Sequence, residues 1–554
     1  MAYKTKTQDK GKIKPLSSPA PNTLPPSPPQ AQPALADIPK QVQAVVYSYL
    51  ALPVLIFCIG WMKIYIAVPL CVLIVFSLYR MIKASGSEIG TPGIHQEPKG
   101  ESGRGKNANH SSVPLMNRFR CSMEGTYGRY AIAFGIIFFW VLISGVGKFA
   151  FQNGDHTTRN GIFELLVDNN WPVIIDSPHY DRPVGLIYYI GFWLPPAFVG
   201  KLFGMAAGYF AQAVWASIGI FLLYYIVTVK FAKKAALWPL SIIVFFSGLD
   251  IIGKYLMGED ILSILGNNRE HIEWWIGSPY LQYSSMTTQL FWVFNQAVPI
   301  WLCTVVIITQ KNNRYLALLF AFSMIQGVLP AIGIALLIVF FAIKNIALIV
   351  KGKPFAKSAR PLVAEHLTVE NCLGVAVALV FLIYYAGNFV SQNGSFRSWT
   401  SFGGIIIMVV FFFVVEAGVY LAAVAAYHKR NYLFYYVIAM LLFVCPWFIV
   451  GIYNDFCMRV SIPALVILMC LVIDTLTKAK KEKKRKIVAA IVILLVIGSY
   501  TPLNEIVRSV SLTIETEKSS MPQGIYSLNP IEVDSIRDQF YGYSDSFFFK
   551  YLAK

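Results

Sequence analysis

Apolar runs close to 20 residues long recur along most of this chain, separated by short polar turns. A helix of about 20 apolar residues matches the roughly 30 Å hydrocarbon thickness of a bilayer, so this pattern restricts the fold more than any other feature. Of 554 residues, 56% are hydrophobic and 14% are charged. Soluble domains carry about 25% charged residues. A disordered chain and a soluble globular enzyme are both excluded on this balance. The expected fold class is all-α, a polytopic helical membrane protein in a lipid bilayer.

Lys and Arg number 47 against 29 Asp and Glu, a formal net charge of +18. In a soluble chain that excess would suggest nucleic acid. Here the positive residues sit in clusters between apolar runs, where the positive-inside rule accounts for them, and no nucleic-acid partner is expected. Cys58, Cys71, Cys303, Cys372, Cys445 and Cys470 lie inside apolar runs as small hydrophobes. No CxxC or Cys/His spacing indicates a metal site. No cofactor is expected, although metal dependence stays open. No secretory leader is expected, because the first residues are polar and Pro-rich.

Residues 1–43 read as a disordered, Pro-rich cytoplasmic tail beginning with Lys4, Lys6, Lys10, Lys12 and Lys14. Residues 44–79 read as a transmembrane hairpin turning at Trp61–Lys63. Residues 80–129 read as a polar cytoplasmic linker. The core then occupies 130–500, with outer loops at 151–207 and 258–288, and residues 501–554 form an external cap. The run 184–200 is crowded by Pro183, Pro195, Pro196 and Gly200. If it spanned, the seven basic residues of 478–486 would face outward, against the positive-inside rule. It is therefore expected to lie along the outer interface, with Tyr188, Tyr189 and Trp193 near the headgroups. Thirteen spans remain: 44–60, 64–79, 130–150, 208–228, 237–257, 289–309, 315–327, 331–349, 369–389, 404–426, 431–451, 459–476 and 487–500. The amino terminus is then cytoplasmic, the carboxyl terminus external, and the plasma membrane the expected location.

No Walker A loop, GxGxxG or HExxH occurs, which weakens readings as an ATP-driven pump or zinc protease. Polar chemistry gathers on the outer side. The first outer loop carries Asp155, His156, Arg159, Asp181 and Arg182, a mixture suited to acid–base work on a polar substrate, or simply to a solvated loop. Asp250 and Lys254 share a helix face, either as an ion pair or with Lys254 on an anionic headgroup. His271 and Glu273 beside Trp274-Trp275 fit sugar recognition or an ordinary interface. Glu416 lies mid-span, where a carboxyl is either functional or neutral and hydrogen-bonded. Arg459 precedes Pro463 at a span start, either snorkelling or holding a phosphate through its bidentate fork.

An outward helix leads into a large outer loop with the early acid Asp155. That loop continues through Asp181-Arg-Pro183-Val-Gly-Leu-Ile-Tyr-Tyr to Val199-Gly-Lys201-Leu-Phe-Gly204. The chain later runs Arg459-Val-Ser-Ile-Pro463-Ala-Leu. This layout resembles the GT-C superfamily of polyprenyl-phosphate-sugar-dependent glycosyltransferases, over about 130–240 and 450–475. Where the family often has an Asp-Glu pair, this chain has Asp155-His156. The resemblance implies an inverting transfer of a sugar from a polyprenyl-phosphate donor to a cell-envelope acceptor on the outer face. It implies Asp155 as base and Arg459, with Lys254, on the donor phosphate. His156, Arg159, Asp181, Arg182, Asp250, His271 and Glu273 would line the substrate site. A transporter or flippase of lipid-linked glycan, signalled by broken helices at the midplane, and a non-catalytic membrane scaffold are the alternatives.

Overall fold

A bilayer core holds no water to satisfy backbone N–H and C=O groups, so apolar runs of spanning length close their hydrogen bonds internally, as helices. The computed structural model describes residues 38–84, 115–176, 179–233, 236–260, 271–273, 281–310, 312–351, 354–389, 396–397, 402–430, 433–450, 454–518 and 538–554. In chain order the helices begin with α1 (Lys40–Trp61), α2 (Ile64–Ala84), α3 (Leu115–Ile143), α4 (Gly154–Asp168), α5 (Leu194–Phe203) and α6 (Met205–Val227). Next come α7 (Trp238–Phe245), α8 (Asp250–Leu256), α9 (Met286–Ile308), α10 (Leu316–Met324), α11 (Val328–Val350), α12 (Phe355–His366) and α13 (Val369–Ala386). The series ends with α14 (Phe402–Phe413), α15 (Val419–His428), α16 (Leu433–Val444), α17 (Asp455–Val460), α18 (Ile462–Lys481), α19 (Arg485–Gly498) and α20 (Tyr500–Lys518).

Among the described residues, ten helices are long and apolar enough to cross a membrane, so the polytopic helical reading stands. The other three expected spans are shorter. Residues 127–143 and 433–447 are apolar helices of under 18 residues. The helix α10 has 9 residues, a rise of about 14 Å and half the hydrocarbon thickness. The Gln326-Gly327 break stops it before α11.

Several boundaries move. Residues 1–37 and 85–114, most of the expected tail and linker, lie outside the described residues. Helix α3 starts fifteen residues before the expected span, so the charged stretch 115–129 is helix and not linker. It stops at Ile143 because Gly145 and Gly147 turn the chain at φ +85° and +84°. The described residues of the 151–207 segment are folded: α4, two short strands, α5 and the start of α6. Strand β1 (Ile174–Ile175) pairs antiparallel with β2 (Val184–Leu186), which pairs with β5 (Tyr541–Tyr543). A second pair joins β3 (Phe396–Arg397) to β4 (Ile449–Val450). These strands are a small departure from an all-α chain.

The 184–200 run does not span, but only its second half is helix. Residues 194–203 form α5, and Gly204 at φ +92° turns the chain into α6. Tyr188 and Trp193 are buried in protein, not presented to headgroups; Phe198, Leu202 and Phe203 are the exposed apolar side chains. A buried polypeptide edge explains this: Gly191 N–H donates to Ile325 O and Tyr188 N–H to the Tyr384 hydroxyl.

The expected cap also changes. Residues 500–518 continue as helix, and 519–537 lie outside the described residues. Residues 538–554 are a strap. The Lys554 N–H donates to Trp61 O, and Lys63 N–H donates to Leu552 O, so the strap closes on the turn between α1 and α2.

The opposite end of the bundle is basic. There Arg80 meets Glu370, Arg314 meets Glu365, Lys478 meets Asp474, and Lys480 lies over Trp238. Tyr47, near the start of α1, accepts from Gln310 beside that end. An impermeant thiol reagent on intact cells should label a cysteine placed at Asp545 and spare one placed at Lys483, since basic turns stay inside. The reverse labelling would invert the topology.

Candidate active site

The first acid of the 151–207 segment is positioned by a helix start. Asn153 caps α4 by accepting from the Asp155 N–H, which places Asp155 in the first turn. One turn later Arg159 donates to Asp155 Oδ2 at 2.8 Å. The Asp155 side chain is 46% exposed while Arg159 is 7% exposed, so the carboxylate is the outward member of the pair and the guanidinium the buried one. Arg159 also stacks over the Phe294 ring from α9.

Arg459 arrives from the other end of the sequence. It sits on the short α17 and pairs with Asp455 at 2.9 Å, four residues earlier. It donates to the Tyr189 hydroxyl at 2.8 Å. Its side chain is only 14% exposed, which excludes snorkelling to a headgroup. Asp155, Tyr188 and Tyr189 all lie within electrostatic range of it. Burial favours the neutral form of Asp155, but Arg159 and then Arg459 outweigh it and hold the carboxyl below the usual range. Two N–H groups here, Arg159 Nη1 and Arg459 Nε, are buried without a partner. Buried guanidinium donors of this kind fit an anionic oxygen.

His156 backs the site and does not line it. Its Nε2 contacts Phe291 O at 2.9 Å and the ring is 1% exposed. Burial, helped by Arg159, pushes its pKa down to about 4. Its usual value is about 6.5, so the unfolded chain binds the extra proton between those values. Stability from this residue is therefore complete above pH ~6.5 and is lost as pH falls toward 4, by about 3 kcal/mol. Thermal unfolding in detergent at pH 7 and pH 4.5 should show a smaller acid-induced drop for His156→Gln than for the parent.

The remaining expected residues form other groups. Asp181 and Arg182 are exposed, and Arg182 binds Asp545 at 2.6 Å and covers the Tyr543 ring, so it fastens the strap. Asp250 and Lys254 do not pair. Asp250 is buried and accepts from Ser247 and Thr501, whereas Lys254 pairs with the more exposed Glu259 at 2.9 Å. Both sit on α8, Asp250 at its first position after the α7–α8 break, where Ser247 and Thr501 donate to its carboxylate. Gly248 in that break packs directly on the Glu416 carboxylate of the π-helical turn Val414–Gly418. His271 and Glu273 join Asp250's side of the molecule. Glu273 accepts from Gln282 and the Ser285 N–H, and burial raises its pKa. His271 donates to Glu505 at 2.9 Å. Trp274 and Trp275 lie outside the described residues.

Sequence reasoning placed Tyr189 at the headgroups and not beside Arg459, and it missed Asp455, Phe294, Glu505 and Arg508. Only Asp455 had a legible signal, its four-residue spacing from Arg459. Between the two groups, Asn153, Phe291, Glu505 and Arg508 enclose a space of about 10 Å³, enough for one water. Among the described residues, no three His, Cys, Asp or Glu side chains are arranged to hold a metal. No protein-family model, curated protein or solved structure matches this chain.

Proposed function

We propose that this protein is an integral membrane glycosyltransferase of the GT-C type, transferring a sugar from a polyprenyl-phosphate donor to a cell-envelope acceptor on the outer face of the plasma membrane. The supporting observation is that Asp155 and Arg459, 304 positions apart in sequence, lie within electrostatic range of each other, with the buried Arg159 paired to Asp155. The free Arg459 Nε and Arg159 Nη1 donors would take the donor phosphate, where negative charge grows as it leaves. The acceptor oxygen bonds to the anomeric carbon, the carbon–phosphate-oxygen bond breaks, and the acceptor proton passes to Asp155. A carboxylate held acidic by two arginines is a weak base. Donor phosphate would neutralise those arginines and restore its basicity, so base strength would appear only with donor in place. The test is to compare envelope glycans of a deletion strain with those of an Asp155→Asn strain. Loss of the same glycan in both supports the reading, and an unchanged glycan profile in both opposes it.

One observation favours transport instead. The α7–α8 break beside buried Asp250, facing the π-helical turn at Glu416, is the kind of discontinuity that transporters place at a binding site. Sugar transfer by purified protein, with no membrane gradient, separates the two.

A further inference from the structure

At the basic end, away from Asp155, a cleft of about 220 Å³ opens between α10, α11 and α13 beside α12. Leu316, Ile338, Ala342 and Val375 form its apolar wall, and Asn313 and His366 form a polar end. Leu367 and Val375 are 68% and 54% exposed, so the cleft faces outward from the bundle, toward lipid. Asn313 is 2% exposed, yet neither atom of its side-chain amide has a partner, and His366 Nε2 has none. Buried polar groups are almost always satisfied.

The cleft is oriented. Asn313 and Asn345 both donate to Glu365, which levels the polar end with Asn345 on α11. Ile338 lies seven residues deeper, about 10 Å along the helix. Polar groups thus sit toward the basic end and apolar walls toward the bilayer centre. Arg314, next to Asn313 in the chain, is 49% exposed and only loosely paired with Glu365 at 3.7 Å, and Lys357 and Arg360 on α12 are exposed nearby in sequence. Basic ends of membrane proteins face the anionic leaflet.

We propose that this cleft binds an anionic phospholipid, with its phosphate at Asn313, His366 and Arg314 and one acyl chain along Leu316, Ile338 and Val375. Cys372 lines the cleft and is exposed, so it reports occupancy. The probe is dioleoylphosphatidylglycerol in mixed micelles with the delipidated full-length protein, against dioleoylphosphatidylcholine. Alkylation at Cys372, read by peptide mass spectrometry, should slow about tenfold once the anionic lipid exceeds its dissociation constant about tenfold. Arg314→Gln with His366→Gln should remove most of that protection while leaving the lipid-free rate unchanged. Ala342→Trp, which fills the cleft, should remove the lipid dependence by a second route. Equal protection by phosphatidylcholine, no protection by phosphatidylglycerol, full protection in the Arg314/His366 variant, or stronger protection by a polyprenyl phosphate would each overturn the assignment.

Discussion

Asp155→Asn should lower sugar transfer by about 10²–10⁴-fold, the usual contribution of a positioned general base. The substitution keeps shape and leaves an amide oxygen to accept from Arg159, so the α4 start should stay folded. Donor affinity should hold or rise, because removing the carboxylate frees charge on Arg159 and Arg459. Arg459→Lys should act in the opposite way. It keeps a positive charge near Asp455 but loses the planar fork that serves Asp455, Tyr189 and the unpartnered Nε together. Donor KM should then rise more than kcat falls. Transfer kinetics with purified protein and a polyprenyl-phosphate sugar read both numbers. Full activity in Asp155→Asn would remove it from the chemistry and leave the α4 region as a binding surface.

Glu505→Leu should be the most destabilising of the simple substitutions considered. Glu505 is 1% exposed and accepts from His271 at 2.9 Å, Trp292 at 3.1 Å and Arg508 at 3.2 Å. Leucine would strand a buried Arg508 and a buried His271 together. Removing one partner of a buried ion pair costs about 3–5 kcal/mol, because the other charge stays desolvated. Glu505→Gln keeps an acceptor and should cost less. Thermal unfolding in detergent should rank parent, Gln and Leu in that order. A leucine variant as stable as the parent would show that Arg508 finds another partner, and the network tying α20 to α9 would then carry little of the fold.

Much of the architecture was written in local patterns. Apolar run length marked the ten long helices, because a bilayer leaves such runs no alternative to internal hydrogen bonds. Charge placement marked 184–200 as non-spanning, and Gly204 then ends its helix after ten residues. The same patterns could not see where polar helices begin. Residues 115–129 are charged and glycine-bearing, and they are helical because they extend α3, not because of an apolar face. The strap was illegible for a related reason: β5 exists only because β2 offers it an edge more than 350 positions away.

The candidate site divides the same way. Residue type and position singled out Asp155, just after an outward span, and Arg459, at a span start, in the sequence. That they come within electrostatic range of each other is a tertiary fact, set by α4 packing near α9 and by the Tyr189 hydroxyl that accepts from Arg459. Asp250 and Lys254 do share the continuous helix α8, as the spacing implied, but each finds a nearer polar partner: Asp250 accepts from Ser247 and Thr501, and Lys254 pairs with Glu259. The sequence by itself determined a membrane-embedded helical chain with one basic end. Only the tertiary structure decided which buried charges face one another, because desolvation makes pairing compulsory while sequence distance leaves the partner open.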